Sequence, residues 1–281
     1  MPNELKCLLI GFGNIGKIHA KYLDLNNSIE WYWYDPFVVS STYDVHRIKT
    51  ISELQSFDKV FILTPENTHY HIYKDIRKRF SSDIFVEKPA IIKNTEWDML
   101  NDTRLTVGLV ERFNPAIQTL KNHINPAAII NIDFSRCCAS NSCSHISILE
   151  DIGIHDIDLF FYLTGADLNN TKDRFITQKN NTILLQINNG ILTRFIWSKD
   201  TFYKERKIMV RQSDCTYIAD LQEQSVIRYT STDNKKITVE SLFVEKGSPI
   251  DNEQKNFLSK NPDYITAKKS HKLLLELINN D

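Results

Sequence analysis

The sequence predicts an α/β protein. A Rossmann dinucleotide-binding domain takes residues 1–115, and a second domain, 116–281, is dominated by antiparallel strands. Three observations lead there. Short apolar runs alternate with helical stretches through the first part of the chain. The loop Gly11-Phe12-Gly13-Asn14-Ile15-Gly16 lies between the first such run and the first helix. After Asn114-Pro115 the alternation stops, and short strands follow one another with turns between them.

Leu5 to Ile10 is a continuous apolar run, the pattern of a strand buried on both faces. Ile15 to Leu25 reads as the helix after the glycine loop. Ile29 to Tyr34 is rich in aromatics and suits a second strand, stopped by Asp35-Pro36. Lys59 to Leu63 is a third strand, closed by Thr64-Pro65. Thr68 to Phe80 is helical, with basic residues near its end. Strands follow at Ile84 to Val86 and Leu105 to Val110. Beyond the junction, Ala128 to Phe134 is extended. A helix runs from about Leu149 to Leu163 and stops at Thr164-Gly165, with glycine in a capping position. Strands then fall at Thr182–Ile187, Ile191–Trp197, Lys207–Arg211, Thr216–Ala219, Val226–Tyr229 and Ile237–Val239. Asn188-Asn189-Gly190 signals a hairpin between the first two. A helix from about Tyr264 to Asn279 ends the chain.

Composition narrows the function. The 281 residues carry 34 Lys and Arg against 35 Asp and Glu, which argues against a nucleic-acid partner. No apolar run is long enough to span a bilayer, and the N-terminus lacks the pattern of a secretion signal. Five cysteines, an odd number, read as reduced thiols in a cytoplasmic protein. Cys137, Cys138 and Cys143, with His145 close by, fit no standard zinc spacing, so no metal is expected; a loop at the substrate mouth is the reading there.

The glycine loop sits where a dinucleotide fingerprint belongs, strand before and helix after. Gly11 permits the tight turn, Gly13 lets the backbone approach a pyrophosphate, and Gly16 lets helix and strand pack closely. Phe12, Asn14 and Ile15 complete the expected cofactor loop. Asp35 lies about 20 residues further on, where a carboxylate accepts from the adenosine ribose hydroxyls. No Lys or Arg follows closely, which favours NAD over NADP. The same residue also fits a turn cap before proline. Thr64 and Pro65 are placed beneath the nicotinamide half, with Asn67 beside them; Asn67 or Thr68 equally suits a helix cap. His69 is counted with this cofactor loop, although a capping or surface place suits it better than catalysis.

Glu87-Lys88-Pro89 closes a later strand of the same sheet. In an open parallel sheet the ligand crevice lies beyond the carboxyl ends of the strands, so Lys88 is aimed where a nicotinamide and a substrate hydroxyl meet. Glu87 shares that position at the cofactor. In Asp151-Ile152-Gly153-Ile154-His155, the acid and the imidazole share a helix face, with Asp158 on nearly the same face and Asp156 pointing elsewhere. An imidazole near neutrality is the usual proton carrier for a secondary alcohol, and a nearby carboxylate orients it. The plain alternative is an acidic helix start around a core histidine.

The chain resembles the glucose–fructose oxidoreductase and inositol 2-dehydrogenase family over nearly its whole length. The resemblance rests on Gly11 to Gly16, Thr64-Pro65, Glu87-Lys88-Pro89 and Asp151 to His155. It implies a Rossmann domain followed by an α/β domain with an open, mostly antiparallel sheet. It also implies oxidation or reduction of sugar or inositol hydroxyl carbons with NAD or NADP. Within it, Lys88 contacts nicotinamide and the reacting oxygen, His155 is the general acid/base and Asp151 supports it. The stretch Val107 to Pro115 resembles the domain junction of a branch that includes nucleotide-sugar dehydrogenases. That makes Arg112 and Asn114 candidates for the cofactor or substrate rim.

The expectation is a cytoplasmic NAD-dependent dehydrogenase of a nucleotide-activated or amino sugar. An exposed second-domain sheet points to a homo-oligomer, a dimer or tetramer. Two alternatives remain open at this point: a non-catalytic sensor that binds NAD and a ligand, and a reductase of a non-sugar ligand.

Overall fold

The computed structural model describes residues 5–51, 56–139, 147–167, 173–231, 236–265 and 267–279. The chain forms two units. The first joins Met1–Leu109 to Ile250–His271; the second joins Val110–Pro249 to Lys272–Asp281. The sequence suggests a single break at residue 115. The structure instead breaks at residue 109 and brings a late segment back to the first unit.

The first unit is built on five parallel strands: β1 (Leu5–Ile10), β2 (Ile29–Tyr34), β3 (Lys59–Ile62), β4 (Asp83–Glu87) and β5 (Leu105–Gly108). Their order is β2-β1-β3-β4-β5. The winding therefore reverses at β1, and a ligand crevice is expected outside the carboxyl ends of β1 and β3. Cys7, Leu8, Leu9 and Ile10 are buried, as a continuous apolar run demands. Helices α1 (Asn14–Asp24) and α2 (His69–Arg79) follow β1 and β3; a 3₁₀ segment, Asn94–Asn101, lies between β4 and β5.

In the second unit, α3 (Pro115–His123) precedes β6 (Ile129–Cys137). A π-helical turn, Leu149–Gly153, then leads into α4 (Ile154–Thr164). Seven strands follow: β7 (Asp173–Lys179), β8 (Thr182–Asn188), β9 (Leu192–Ser198), β10 (Glu205–Gln212), β11 (Cys215–Asp220), β12 (Ser225–Ser231) and β13 (Ile237–Leu242). The eight-stranded sheet has the order β13-β12-β11-β10-β6-β9-β8-β7. Among the described residues only β6 and β9 of this sheet pair in parallel; the other neighbours run antiparallel. Phe134, Phe195 and Trp197 stack on one face, where Phe160 of α4 meets Phe195. The opposite face leaves Phe175 and Leu192 exposed beside Asp133 and Arg194. Asn188-Asn189-Gly190 does make the β8–β9 turn, with Gly190 at φ +100°. Gly165 caps α4 in the left-handed conformation.

Helix α5 (Pro249–Leu258) belongs to the first unit from Ile250 onward. Its Phe257 is fully buried against Phe61 and Phe85, with ring centroids 5.0 and 5.5 Å apart. Helix α6 (Lys268–Asn279) runs across the boundary between the units. Neither α3, α5 nor β7 stands out in the sequence. Pro-Ile-Asp-Asn-Glu-Gln-Lys-Asn-Phe-Leu is largely polar, and β7 is an edge strand that buries little.

Candidate functional site

The glycine loop has the geometry a dinucleotide needs. At Gly11, φ is +97°, and a Cβ would lie 2.7 Å from the Leu63 carbonyl oxygen. A Cβ on Gly16 would lie 2.4 Å from the Gly11 oxygen, while one on Gly13 would meet nothing within 4 Å. The strand and helix thus close on Gly11 and Gly16 and leave Gly13 facing open space. Among the described residues no side chain caps α1 at Gly13, and first-turn N–H groups of a helix suit a phosphate. Phe12 is different from the expectation: its ring is fully buried, stacked on Trp33 at 4.0 Å, so only its backbone belongs to the loop. Asn14 is exposed and Ile15 packs partly against the core.

Asp35 fills the turn-capping role. Its Oδ2 accepts from Phe12 N at 2.8 Å, and Oδ1 accepts from Phe37 N and Val38 N at 2.8 and 3.2 Å. A carboxylate offers about four acceptor positions, so these bonds do not exhaust it for a ribose.

The loops after β3 and β4 are tied together by His69. Its Nδ1 lies 2.9 Å from the Pro89 oxygen and its Nε2 2.8 Å from the Thr64 oxygen. The ring is buried, not at the surface, and burial pushes its pKa down. His69 is therefore a brace between two loops. The Thr68 hydroxyl turns back to Thr64 Oγ1 and the Pro65 oxygen and does not cap α2; Asn67 is exposed.

Around Lys88 the packing is close. Glu87 Oε2 accepts the Lys88 N–H at 3.2 Å, and Glu87 Oε1 lies 3.3 Å from His19 Nε2. Glu87 sits opposite Gly108 on β5, where a Cβ would press on Phe85 at 2.8 Å and reach the Glu87 carboxyl at 3.4 Å. Ala90 N donates to His271 Nε2 at 3.0 Å. The carboxylate of Glu87 therefore serves the turn that carries Lys88.

In the second unit, the start of the Asp151–His155 helix is wound as a π turn, a form found often at functional sites. Asp151 pairs with Lys199 at 2.6 Å, a residue that sequence reading does not single out. Asp156 does point elsewhere: it accepts from Arg136 Nη2 at 2.7 Å and from Trp197 Nε1 at 3.0 Å. Arg136 also donates to Glu111 at 2.8 Å, and Arg206 reaches the same oxygen at 3.1 Å. Burial raises the Glu111 pKa, but Arg136 and Arg206 outweigh it and hold the carboxyl below its usual value. This buried network fastens α4 to β6, β9 and β10.

Asp158 is taken up by Arg112, with both bonds at 2.6 Å. The Arg112 guanidinium, committed to Asp158 and lying over the Tyr162 ring, has a structural partner that the rim reading did not foresee. Asn114 is buried. Its Oδ1 caps α3 through Ala116 N, and its Nδ2 donates to the Leu221 oxygen, so a capping role replaces the expected rim position. Cys7, Cys137, Cys138 and Cys215 are free thiols; Cys143 and His145 lie outside the described residues.

No family model matches the chain. It is 28% identical over 184 residues to the inositol 2-dehydrogenase of Rhizobium meliloti, a match that covers 57% of this chain and 54% of that protein. The chain thus aligns with about half the length of that relative. It is 24% identical over 223 residues to the UDP-N-acetylglucosamine 3-dehydrogenase of Acidithiobacillus ferrooxidans, covering 73% of this chain and 71% of the relative. A solved structure of the UDP-N-acetylglucosamine 3-dehydrogenase from that organism matches with a TM-score of 0.83 at 20% identity, over 97% of this chain and 96% of the other. The chain is therefore related in sequence to inositol and nucleotide-sugar dehydrogenases, and it shares the fold of the glucose–fructose oxidoreductase and inositol 2-dehydrogenase family.

Proposed function

We propose that the protein is an NAD-dependent oxidoreductase acting on a secondary hydroxyl carbon of a sugar, a nucleotide-activated or amino sugar. The observation that carries this reading is the placement of Lys88. It directly follows β4 in the same parallel sheet whose β1 leads into the glycine loop. The similarity to inositol and UDP-N-acetylglucosamine dehydrogenases supports the substrate class. Gly11, Gly13 and Gly16 fit a dinucleotide pyrophosphate, and Asp35 fits the ribose of NAD over the phosphate of NADP. When bound, nicotinamide supplies the hydride acceptor, or the donor in reverse.

The remaining chemistry belongs to the chain. As the substrate C–H bond breaks and a carbonyl forms, His155 takes the hydroxyl proton and Lys88 stabilises the charge growing on that oxygen. Asp151 orients the base. Free thiols at Cys7, Cys137, Cys138 and Cys215 suit a reducing compartment, the cytoplasm. The exposed face of the eight-stranded sheet suits association with a second copy of the chain.

Absorbance at 340 nm, with NAD+ and a panel of UDP-N-acetylglucosamine, related UDP-sugars and inositols, tests the reading. Turnover of one panel member is expected. Lys88→Ala should lower that turnover by about 10²- to 10³-fold while NAD+ binding stays near normal. Near-normal turnover by the variant would remove Lys88 from the chemistry.

A further inference from the structure

Three buried imidazoles surround the Glu87–Ala90 turn: His69 at the Pro89 carbonyl, His271 at the Ala90 N–H, and His19 at Glu87. His19 is in turn held by α5. Gln254 Nε2 lies 2.6 Å from His19 Nδ1 and 3.2 Å from the His19 carbonyl oxygen. A flipped amide would set Oε1 against that carbonyl, so the amide nitrogen must be the group facing it. Gln254 therefore donates to both atoms. His19 Nδ1 is then an acceptor, and the ring proton sits on Nε2, facing Glu87 Oε1 at 3.3 Å. Glu87 Oε2 accepts the Lys88 N–H. The line runs unbroken from Gln254 through His19 and Glu87 to the backbone of Lys88.

Two further facts single out this line. Gln254 is 1% exposed, and its Oε1 has no hydrogen-bond partner among the described residues. An orphaned amide oxygen is costly in a core, and an apolar side chain would avoid that cost. The donor nitrogen is what an apolar residue could not replace. Next to it, burial and the charge of Glu87 push the Glu253 carboxyl well above its usual range. Glu253 thus holds its proton more tightly than an exposed acid does, beside the Glu87 carboxyl that His19 and the Lys88 backbone address.

We propose that Gln254 is a positioning residue for Lys88: it fixes the His19 tautomer, which fixes Glu87 against the Lys88 backbone and so aims the ammonium group. This rests on the reading of Lys88 as the group that touches the reacting oxygen. Gln254→Met keeps the length of the side chain and removes the donor. In ¹⁵N-histidine NMR of the full chain with NAD+, with His19 assigned through His19→Asn, the native protein should show one tautomer protonated at Nε2. Gln254→Met should lose that single tautomer. It should also lower kcat on the active panel sugar about tenfold or more, with NAD+ affinity little changed.

A native His19 protonated at Nδ1 overturns the proposal, and that measurement stands even if the variant does not fold. An unchanged kcat in Gln254→Met beside an inactive Lys88→Ala also overturns it. Full activity in Lys88→Ala strikes instead at the functional reading, while the tautomer still reports on the link between Gln254 and His19.

Discussion

Lys199 shows what one residue adds to the site. It is nearly buried and holds Asp151 at 2.6 Å, a distance at which a charge-assisted bond fixes both groups. Asp151 thus has a cation of its own, and the support of His155 proposed for it depends on sharing its carboxylate with that cation. Lys199→Met keeps the bulk and removes the charge. Turnover should fall roughly 10- to 100-fold, with the acid limb of the kcat/KM profile displaced and the melting temperature changed little. A pH profile that overlays the native one would limit Lys199 to a structural role. Nothing in Trp197-Ser198-Lys199-Asp200 announces the pair; β9 and the π turn bring the residues together. His19 was more accessible to reading. Gly16, His19, Ala20 and Leu23 form the buried stripe of α1, so a histidine on an inward face was visible from spacing alone.

At the scale of elements, α5 carries two buried polar side chains into an otherwise aromatic environment. Gln254 has a partner in His19. The Glu253 carboxyl is pushed well above its usual range by burial and by Glu87. An acid whose folded-state pKa is raised keeps a proton that the unfolded chain releases above about 4.5. Its cost to stability is absent below that pH, grows as pH rises towards the folded-state pKa, and is constant beyond it. Glu253→Gln cannot ionise. The variant should melt higher than the native protein at pH 8, by a few degrees or so, and the gap should close as pH falls to the unfolded value. Parallel melting curves across that range would show that Glu253 ionises at no cost. Helix α4 is the contrasting case. Its acids Asp156 and Asp158 are buried in bonds to Arg136 and Arg112, and they hold the helix that carries His155.

At the scale of the molecule, one face of the eight-stranded sheet is exposed among the described residues. Phe175 and Leu192 are 58% and 57% exposed, with Asp133 and Arg194 paired beside them. Apolar area ringed by charge marks an interaction surface, and closed pairs are the commonest outcome for identical chains. Sedimentation at micromolar concentration should find a dimer or larger species, and Leu192→Glu should shift it towards monomer. A native monomer under those conditions would end the proposal of self-association.

The strands of the first unit, the glycine loop, the Glu87-Lys88-Pro89 turn and the β8–β9 hairpin were all legible in the sequence. Each is a local pattern: apolar runs, glycines where a Cβ cannot fit, and turn residues at fixed offsets. Only the tertiary structure decided that α5 returns to the first unit, that Asp158 answers Arg112, that Lys199 answers Asp151, and that Gln254 reaches His19. Those contacts join residues far apart in the chain. Their partners are chosen by which faces pack together, and no spacing along the sequence records that choice.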